Sequence, residues 1–187
     1  MATDSPADSS STESSADSVV EIPRPDSGDV VELILEDHRR FEHLLRELRN
    51  EQNDRAALRR QVAELLVAHG EAEESKVYPQ LERKDAIDEE EAEHGEKEHQ
   101  EGYEKLLPLL EATELYDEEF SNLLHEFSET LLHHLDEEER DILNPAREDV
   151  SGDDRASLGA AWLTERNRML EDGCGSTEQV RALVDGS

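Results

Sequence analysis

The pattern His-x-x-x-Glu-Glu occurs twice, once from His69 to Glu73 and Glu74 and again from His134 to Glu138 and Glu139. Each copy lies on a stretch with helical periodicity, and each is followed by a proline, Pro79 and Pro145. Each is also preceded by a second helix-like stretch with an acid–histidine pair, Asp37-His38 and Glu98-His99. Residues i and i+4 lie one above the other on a helix. His69 and Glu73 therefore point the same way, and so do His134 and Glu138. A duplicated helix pair carrying His and Glu at matched places predicts a metal site at the centre of a four-helix bundle.

Apolar residues recur with helical spacing, and no Val/Ile/Thr alternation marks a strand. The expected fold is all-α, an antiparallel up-down four-helix bundle with an additional C-terminal helix. Helix one, about 30–50, follows Asp29 and Glu32 in capping-box spacing and aligns Val31, His38, Phe41, Leu45 and Leu48 with Ile34 or Leu35. Helix two, about 55–83, follows Asn53-Asp54 and aligns Leu58, Val62, Leu65, His69, Glu73, Val77 and Leu81. Pro79 should kink or end it. Helix three, about 88–111, starts in an acidic run, aligns His99, Tyr103, Leu106 and Leu110, and is expected to bend at Pro108. Helix four, about 117–143, aligns Phe120, Leu124, Phe127, Leu131, His134, Glu138 and Ile142, and should end at Asn144-Pro145. A fifth amphipathic helix is expected at about 153–171, with Leu158, Ala161, Trp162 and Met169. The expected organisation is a disordered acidic tail over 1–28, the bundle over 29–148, an accessory helix within 149–172 and a flexible tail over 173–187 with one loose turn. Trp162 reads as a packing residue.

Both His/Glu pairs fall on the apolar stripe of their own helix. A carboxylate facing a core is costly unless something compensates it. The stripes offer no Arg or Lys, so a cation is the compensation that serves both pairs at once. His38 and His99, from the other two helices, complete a candidate ligand set of His38, His69, Glu73, His99, His134 and Glu138. Nitrogen and oxygen donors without sulfur suit iron, manganese or zinc. Two carboxylates on separate helices can bridge two metals, as in the di-metal carboxylate bundles built on Glu-x-x-His; here the order is reversed and the spacing one longer. Iron so held, with a vacant position, suits oxygen or redox chemistry. The competing reading is a solvated acidic helix face, since His-x-x-x-Glu also occurs at His38/Glu42 and His94/Glu98. Phase and duplication favour ligands. For His38 the alternative is a core histidine satisfied by a neighbour. His94 shares a stripe with Glu98, Glu101 and Lys105, and His133 shares the polar face with Glu126, Thr130 and Glu137; His43 and His125 read as surface residues. Glu74 and Glu139 read as outer partners or solvated groups, with a metal position open to either.

The formal net charge is −31, from 50 Asp+Glu against 19 Lys+Arg, and only four of the basic residues are lysine. Such a surface excludes nucleic acid and anionic lipid as partners, which both need a basic footprint. Two readings of the acidity compete, a generally solvated acidic surface and adaptation to a halophilic, high-salt cytoplasm where screening removes most of the self-repulsion; acid spread through tail, loops and helices alike favours the second. Cys174 is the only cysteine, which gives no sign of an oxidising compartment and reads as a flexible bystander thiol. No apolar run approaches the ~20 residues of a membrane span, and no basic region leads into an apolar one at the N-terminus. The expected location is the cytoplasm.

Four segments, VELILEDHRRFEHLLREL, LLVAHGEAEESKVYPQLE, HGEKEHQEGYEKLL and LLHHLDEEERDILNPARE, resemble the hemerythrin-like HHE cation-binding family in the same order, over roughly residues 30–148. The resemblance implies a four-helix bundle around a non-haem di-iron centre. It implies His38 as the first-helix ligand, His69 and Glu73 as the second-helix pair, His99 as the third-helix ligand, and His134 and Glu138 as the fourth-helix pair, with the glutamates bridging. Oxygen-carrying hemerythrins have a second third-helix His four residues from the first and a fourth-helix Asp five residues after its His. Here positions 95 and 103 are Gly and Tyr, and position 139 is Glu. That departure speaks against reversible oxygen transport. The di-iron repair proteins of this kind usually carry an N-terminal cysteine module, which the acidic tail lacks.

The function expected from this reading is a di-iron protein that takes metal ions and a small diatomic ligand, oxygen or a relative, for sensing, iron handling or stress protection. The sequence indicates no protein partner. The alternatives are an oxidase or peroxidase-like enzyme at the same centre, for which no separate substrate pocket or acid–base pair is visible, and a metal-free helical interaction module.

Overall fold

The computed structural model describes residues 21–186. Four long helices form the bundle. They are α1 (Val30–Arg49), α2 (Arg55–Ala72), α4 (Glu89–Glu111) and α5 (Glu118–Glu138). Two short helices, α3 (Tyr78–Arg83) and α6 (Asn144–Asp149), continue α2 and α5 through five-residue π-helical turns. Two more helices, α7 (Gly152–Asp172) and α8 (Thr177–Asp185), follow. No strand occurs among the described residues.

Each long helix starts where a short acid can take the first free N–H groups. Asp29, Asp54, Asp88 and Asp117 each accept a backbone N–H as N-cap. The full capping box forms at Asp88 with Glu91; at Asp29 only the cap itself forms, to the Val31 N–H. At the other ends of α1 and α4, two arginines of α2 close the free carbonyls. Arg55 donates to Leu48, Arg49 and Leu115, and Arg59 to Leu109 and Ala112.

Helix two runs to Arg83, past Pro79, within its expected bounds, whereas Asn144-Pro145 does not end helix four as expected. The Tyr78 N–H bonds to the Glu73 carbonyl and the Asn144 N–H to the Glu139 carbonyl, each one residue longer than α-helical spacing. The wider turn falls just before Pro79 and Pro145, which lack an N–H and would crowd an α-helical carbonyl. The chain therefore stays helical past both.

Two apolar clusters fill the interior. One contains Phe41, Leu45, Leu65, Leu106, Phe127 and Leu131, and the other Ile34, Val77, Tyr78, Ile142, Trp162 and Leu163. Along α1 and α4 the second cluster precedes the first; along α2 and α5 the order reverses, which is the up-down alternation. On every long helix the changeover falls at a buried polar residue: His38, His69, His99 and, at the end of α5, Glu138, one turn past buried His134. A polar layer thus divides the core.

Helix α7 packs on α1 and α2, and α8 packs on α4. Residues 1–20 of the expected tail lie outside the described residues. Residues 21–28, expected in the same tail, run along α7: Ile22 is buried, Arg166 donates to the Pro23 carbonyl and Asn167 to that of Pro25. The stretch 173–187 was expected to be loose. It holds α8, with Ser176 as N-cap and Val180 buried against the first cluster. Its entry turn seats Gly175 (φ +81°) so closely that a Cβ would meet the Glu64 nitrogen at 2.5 Å. Cys174, expected as a flexible thiol, is buried beside it and donates to the Glu64 carbonyl.

Candidate metal centre

The six candidate residues converge in the polar layer, and all are buried. Each imidazole turns Nε2 toward an interior glutamate. His69 and His99 share Glu73, at 3.2 and 3.3 Å from its Oε2. His38 and His134 share Glu138, at 3.1 and 3.9 Å from its Oε2. Ligand atoms of His38, His69 and Glu138 lie within 4.8 Å of one another, close enough for one ion.

Each imidazole turns Nδ1 toward an outer carboxylate. Asp37 serves His69 at 3.5 Å, Glu98 serves His134 at 3.1 Å, Glu74 serves His99 at 2.8 Å and Glu139 serves His38 at 2.9 Å. This is a two-fold pattern. The acid before His38 supports the histidine of α2, and the acid before His99 supports that of α5. In each Glu-Glu doublet the first residue faces inward and the second holds the histidine of a neighbouring helix. A carboxylate on Nδ1 fixes the tautomer and presents the Nε2 lone pair, the arrangement found behind metal-bound histidines. The doublets therefore differ in role: Glu138 is fully buried, while Glu139 is half-exposed.

Buried polar atoms without hydrogen-bond partners concentrate here. They include Nε2 of His69, His99 and His134 and both carboxylate oxygens of Glu73. Such groups are rare in native interiors and ask for a missing partner. Burial, Glu138 and Asp37 together push the Glu73 carboxyl well above the ordinary glutamate range. Burial lowers His69 to about 4 and His99 to about 3, leaving both neutral with a lone pair to give. Burial also disfavours charged His38, but hydrogen bonds to Glu138 and Glu139 prevail and raise it to about 9. Burial pushes Glu138 up, and the His38 hydrogen bond outweighs it and holds the carboxyl low. A cation is the partner that this mixture of neutral nitrogens and crowded carboxylates fits.

A family model, the hemerythrin HHE cation-binding domain, matches residues 29–146. The chain belongs to that family. No curated protein and no solved structure gives a significant match. The bundle from α1 to the start of α6 is thus a hemerythrin-type domain, and all of α7 and α8 lie beyond the match.

Sequence reasoning missed four contributors. Tyr78, the first residue after the π-helical turn, donates to Glu138 Oε1 at 3.3 Å and stacks on His99. It fills the space beside Gly95, where a Cβ would meet its ring at 3.1 Å; this is one of the two positions open to the extra histidine of the oxygen carriers. At the other, Tyr103 is buried with its hydroxyl unpartnered, and a Cβ on Gly70 would meet that oxygen at 2.8 Å. Arg166 of α7 grips Asp37 through both oxygens at 2.6 Å. Trp162, expected only to pack, lies edge-on to the His69 ring. His43, His94, His125 and His133 point outward, as their stripes implied.

Proposed function

We propose that this hemerythrin-type domain is a non-haem di-iron protein, with His38, His69, Glu73, His99, His134 and Glu138 as ligands. The observation that carries the reading is the set of unpartnered nitrogens and oxygens buried between the two apolar clusters. Manganese or zinc would satisfy the same donors, and iron is the metal the family implies. An iron pair would supply redox chemistry and an open coordination position for oxygen or a related diatomic molecule.

The chain's own residues set the conditions. The four outer carboxylates hold the imidazoles in place, and Glu73 and Glu138, at the ends of the second and fourth bundle helices, would supply the carboxylate ligands. Tyr78 keeps a hydroxyl proton at the Glu138 carboxylate. Phe41, Trp162 and the two apolar clusters exclude water around the layer. Those features favour binding a small molecule for sensing, iron handling or stress protection over turnover of a large substrate. No helix among the described residues is long and apolar enough to cross a membrane.

Oxygen uptake by the ferrous protein, followed with an electrode, tests the reading. Uptake that stops at a stoichiometric amount and is absent in Glu73→Ala supports binding. Continued consumption with added reductant favours an oxidase instead.

A further inference from the structure

The two-fold pattern breaks at one place. Asp37, behind His69, is neutralised by Arg166. Its counterpart Glu98, behind His134, has no Lys or Arg partner among the described residues. In that place stand His94 and Glu137, at the rim of a cavity of about 340 Å³. Nε2 of His94 lies 3.1 Å from Glu137 Oε2 and 3.9 Å from Glu98 Oε1. One atom from each of the three residues falls within 4.8 Å of the others. The second Glu137 oxygen is taken by Arg140 at 3.1 Å; the oxygen facing His94 also lies 3.6 Å from Nε2 of the exposed His133, and can be shared with an ion.

The cavity leads inward. Its wall runs from Asp88 and Glu91 past His94 and Glu137 to Glu98 and Glu138, with no Lys or Arg in its lining. Side-chain exposure falls along that line, from 53% at His94 to 21% at Glu137, 9% at Glu98 and 0% at Glu138. Gly95 adds no side chain to the wall. A buried centre enclosed by apolar clusters needs a polar way in for a hydrated cation, since a bare charge does not cross an apolar layer.

We propose that His94, Glu98 and Glu137 form an outer divalent transition-metal site at the mouth of this cavity, through which ions load the interior centre. The loading role rests on the reading of the interior as a metal centre; the outer site stands on its own geometry. Glu98 links the two, with one oxygen toward His94 and the other on His134. An ion held there stands where Arg166 stands in the other half. Imidazole and carboxylate donors fit ferrous, cobaltous or zinc ions rather than Ca²⁺ or Mg²⁺, and an acidic cleft concentrates cations at its mouth.

The test uses the tag-free full chain, stripped of metal, in the wild-type and His94→Ala/Glu137→Gln forms. Neither residue belongs to the interior set. Glu119→Gln is the control: it also removes one negative charge, but at the far end of α5, about 27 Å along the helix. Anaerobic stopped-flow mixing with ferrous ion is expected to show the double variant loading on the order of tenfold more slowly, to the same final iron content, with the control at the wild-type rate. Cobalt titration is expected to show one weak ion in the wild type that the double variant lacks. Equal loading rates overturn the entry role, and equal cobalt stoichiometries overturn the outer site. A wild type that loads no iron refutes the interior reading and the entry role together, and the cobalt titration then decides the outer site alone.

Discussion

Arg166 grips Asp37 with two hydrogen bonds of 2.6 Å, one to each carboxylate oxygen, and Asp37 in turn stands 3.5 Å from Nδ1 of His69. Arg166 lies outside the segment matched to the family, so a helix beyond the domain supports a histidine within it. Burial pushes Asp37 up, and the nearby His69 imidazole and the Arg166 guanidinium reverse that and hold it below the ordinary aspartate range. The guanidinium also lies over the Trp162 ring, 5.3 Å from its centroid, and Trp162 touches His69.

Arg166→Met strands a buried carboxylate and is expected to destabilise the metal-free protein by about 3–5 kcal/mol. Asp37→Asn in the same chain should restore part of that loss. Urea unfolding of the three proteins checks it. A loss below about 1 kcal/mol, the range of exposed pairs, would show that the ion pair is not buried in solution.

Glu138 and Glu139 are neighbours with different roles. Glu138→Gln is expected to abolish interior metal retention. Glu139→Gln, which touches only Nδ1 of His38, should weaken it about 10–100-fold while preserving stoichiometry. Metal content after dialysis, with chelator competition, separates them. The reverse order would mean that the fourth helix presents its carboxylate at the longer spacing of the oxygen carriers.

Glu73 is buried with both oxygens unpartnered in the metal-free protein. Replacing it with a similar-sized apolar residue removes that cost. Glu73→Leu is expected to stabilise the metal-free protein by about 1–4 kcal/mol and to abolish the rise in melting temperature that ferrous ion gives the wild type. Calorimetry with and without metal reads both. A less stable variant that still responds to iron would remove Glu73 from the ligand set.

Much of this arrangement was legible in the sequence. Spacing of four puts His69 with Glu73 and His134 with Glu138 on one face, and the apolar phase of that face turns both pairs inward. The outer carboxylates were less legible. Adjacent residues on a helix point about 100° apart, so Asp37 and Glu98 serve the histidines of neighbouring helices, a relation that only packing reveals. Tyr78 was hidden because it stands one position beside Val77 on the expected stripe; across the π-helical turn the inward face widens, so that Val77, Tyr78 and Leu81 are all buried. Arg166 sits on a helix with weak amphipathic signal, and its charge reads as surface until Asp37 is seen beneath it. Residues 173–186 looked loose because the helical run is only nine residues long, although Val180, Leu183 and Val184 fall at amphipathic spacing and pack on the first cluster; Gly175 fits at its entry where no Cβ can.

Cys174 tests that last packing. Burial, reinforced by Glu64, pushes its thiol up to about 11. A raised thiol pKa leaves less thiolate at a given pH, about one part in a thousand at pH 8. Iodoacetamide at pH 8 is expected to label the native protein far more slowly than a free cysteine, with full labelling in urea. Labelling at the free-cysteine rate would show that α8 does not cover this site.

The most direct test of the central claim is the iron content and visible spectrum of the tag-free protein, loaded anaerobically and then exposed to oxygen. About two irons per chain and a visible charge-transfer band that appears with oxygen are expected. Trace metal, or a single zinc with no visible band, would contradict the claim and leave Glu73 and Glu138 as buried carboxylates without a cation to explain them.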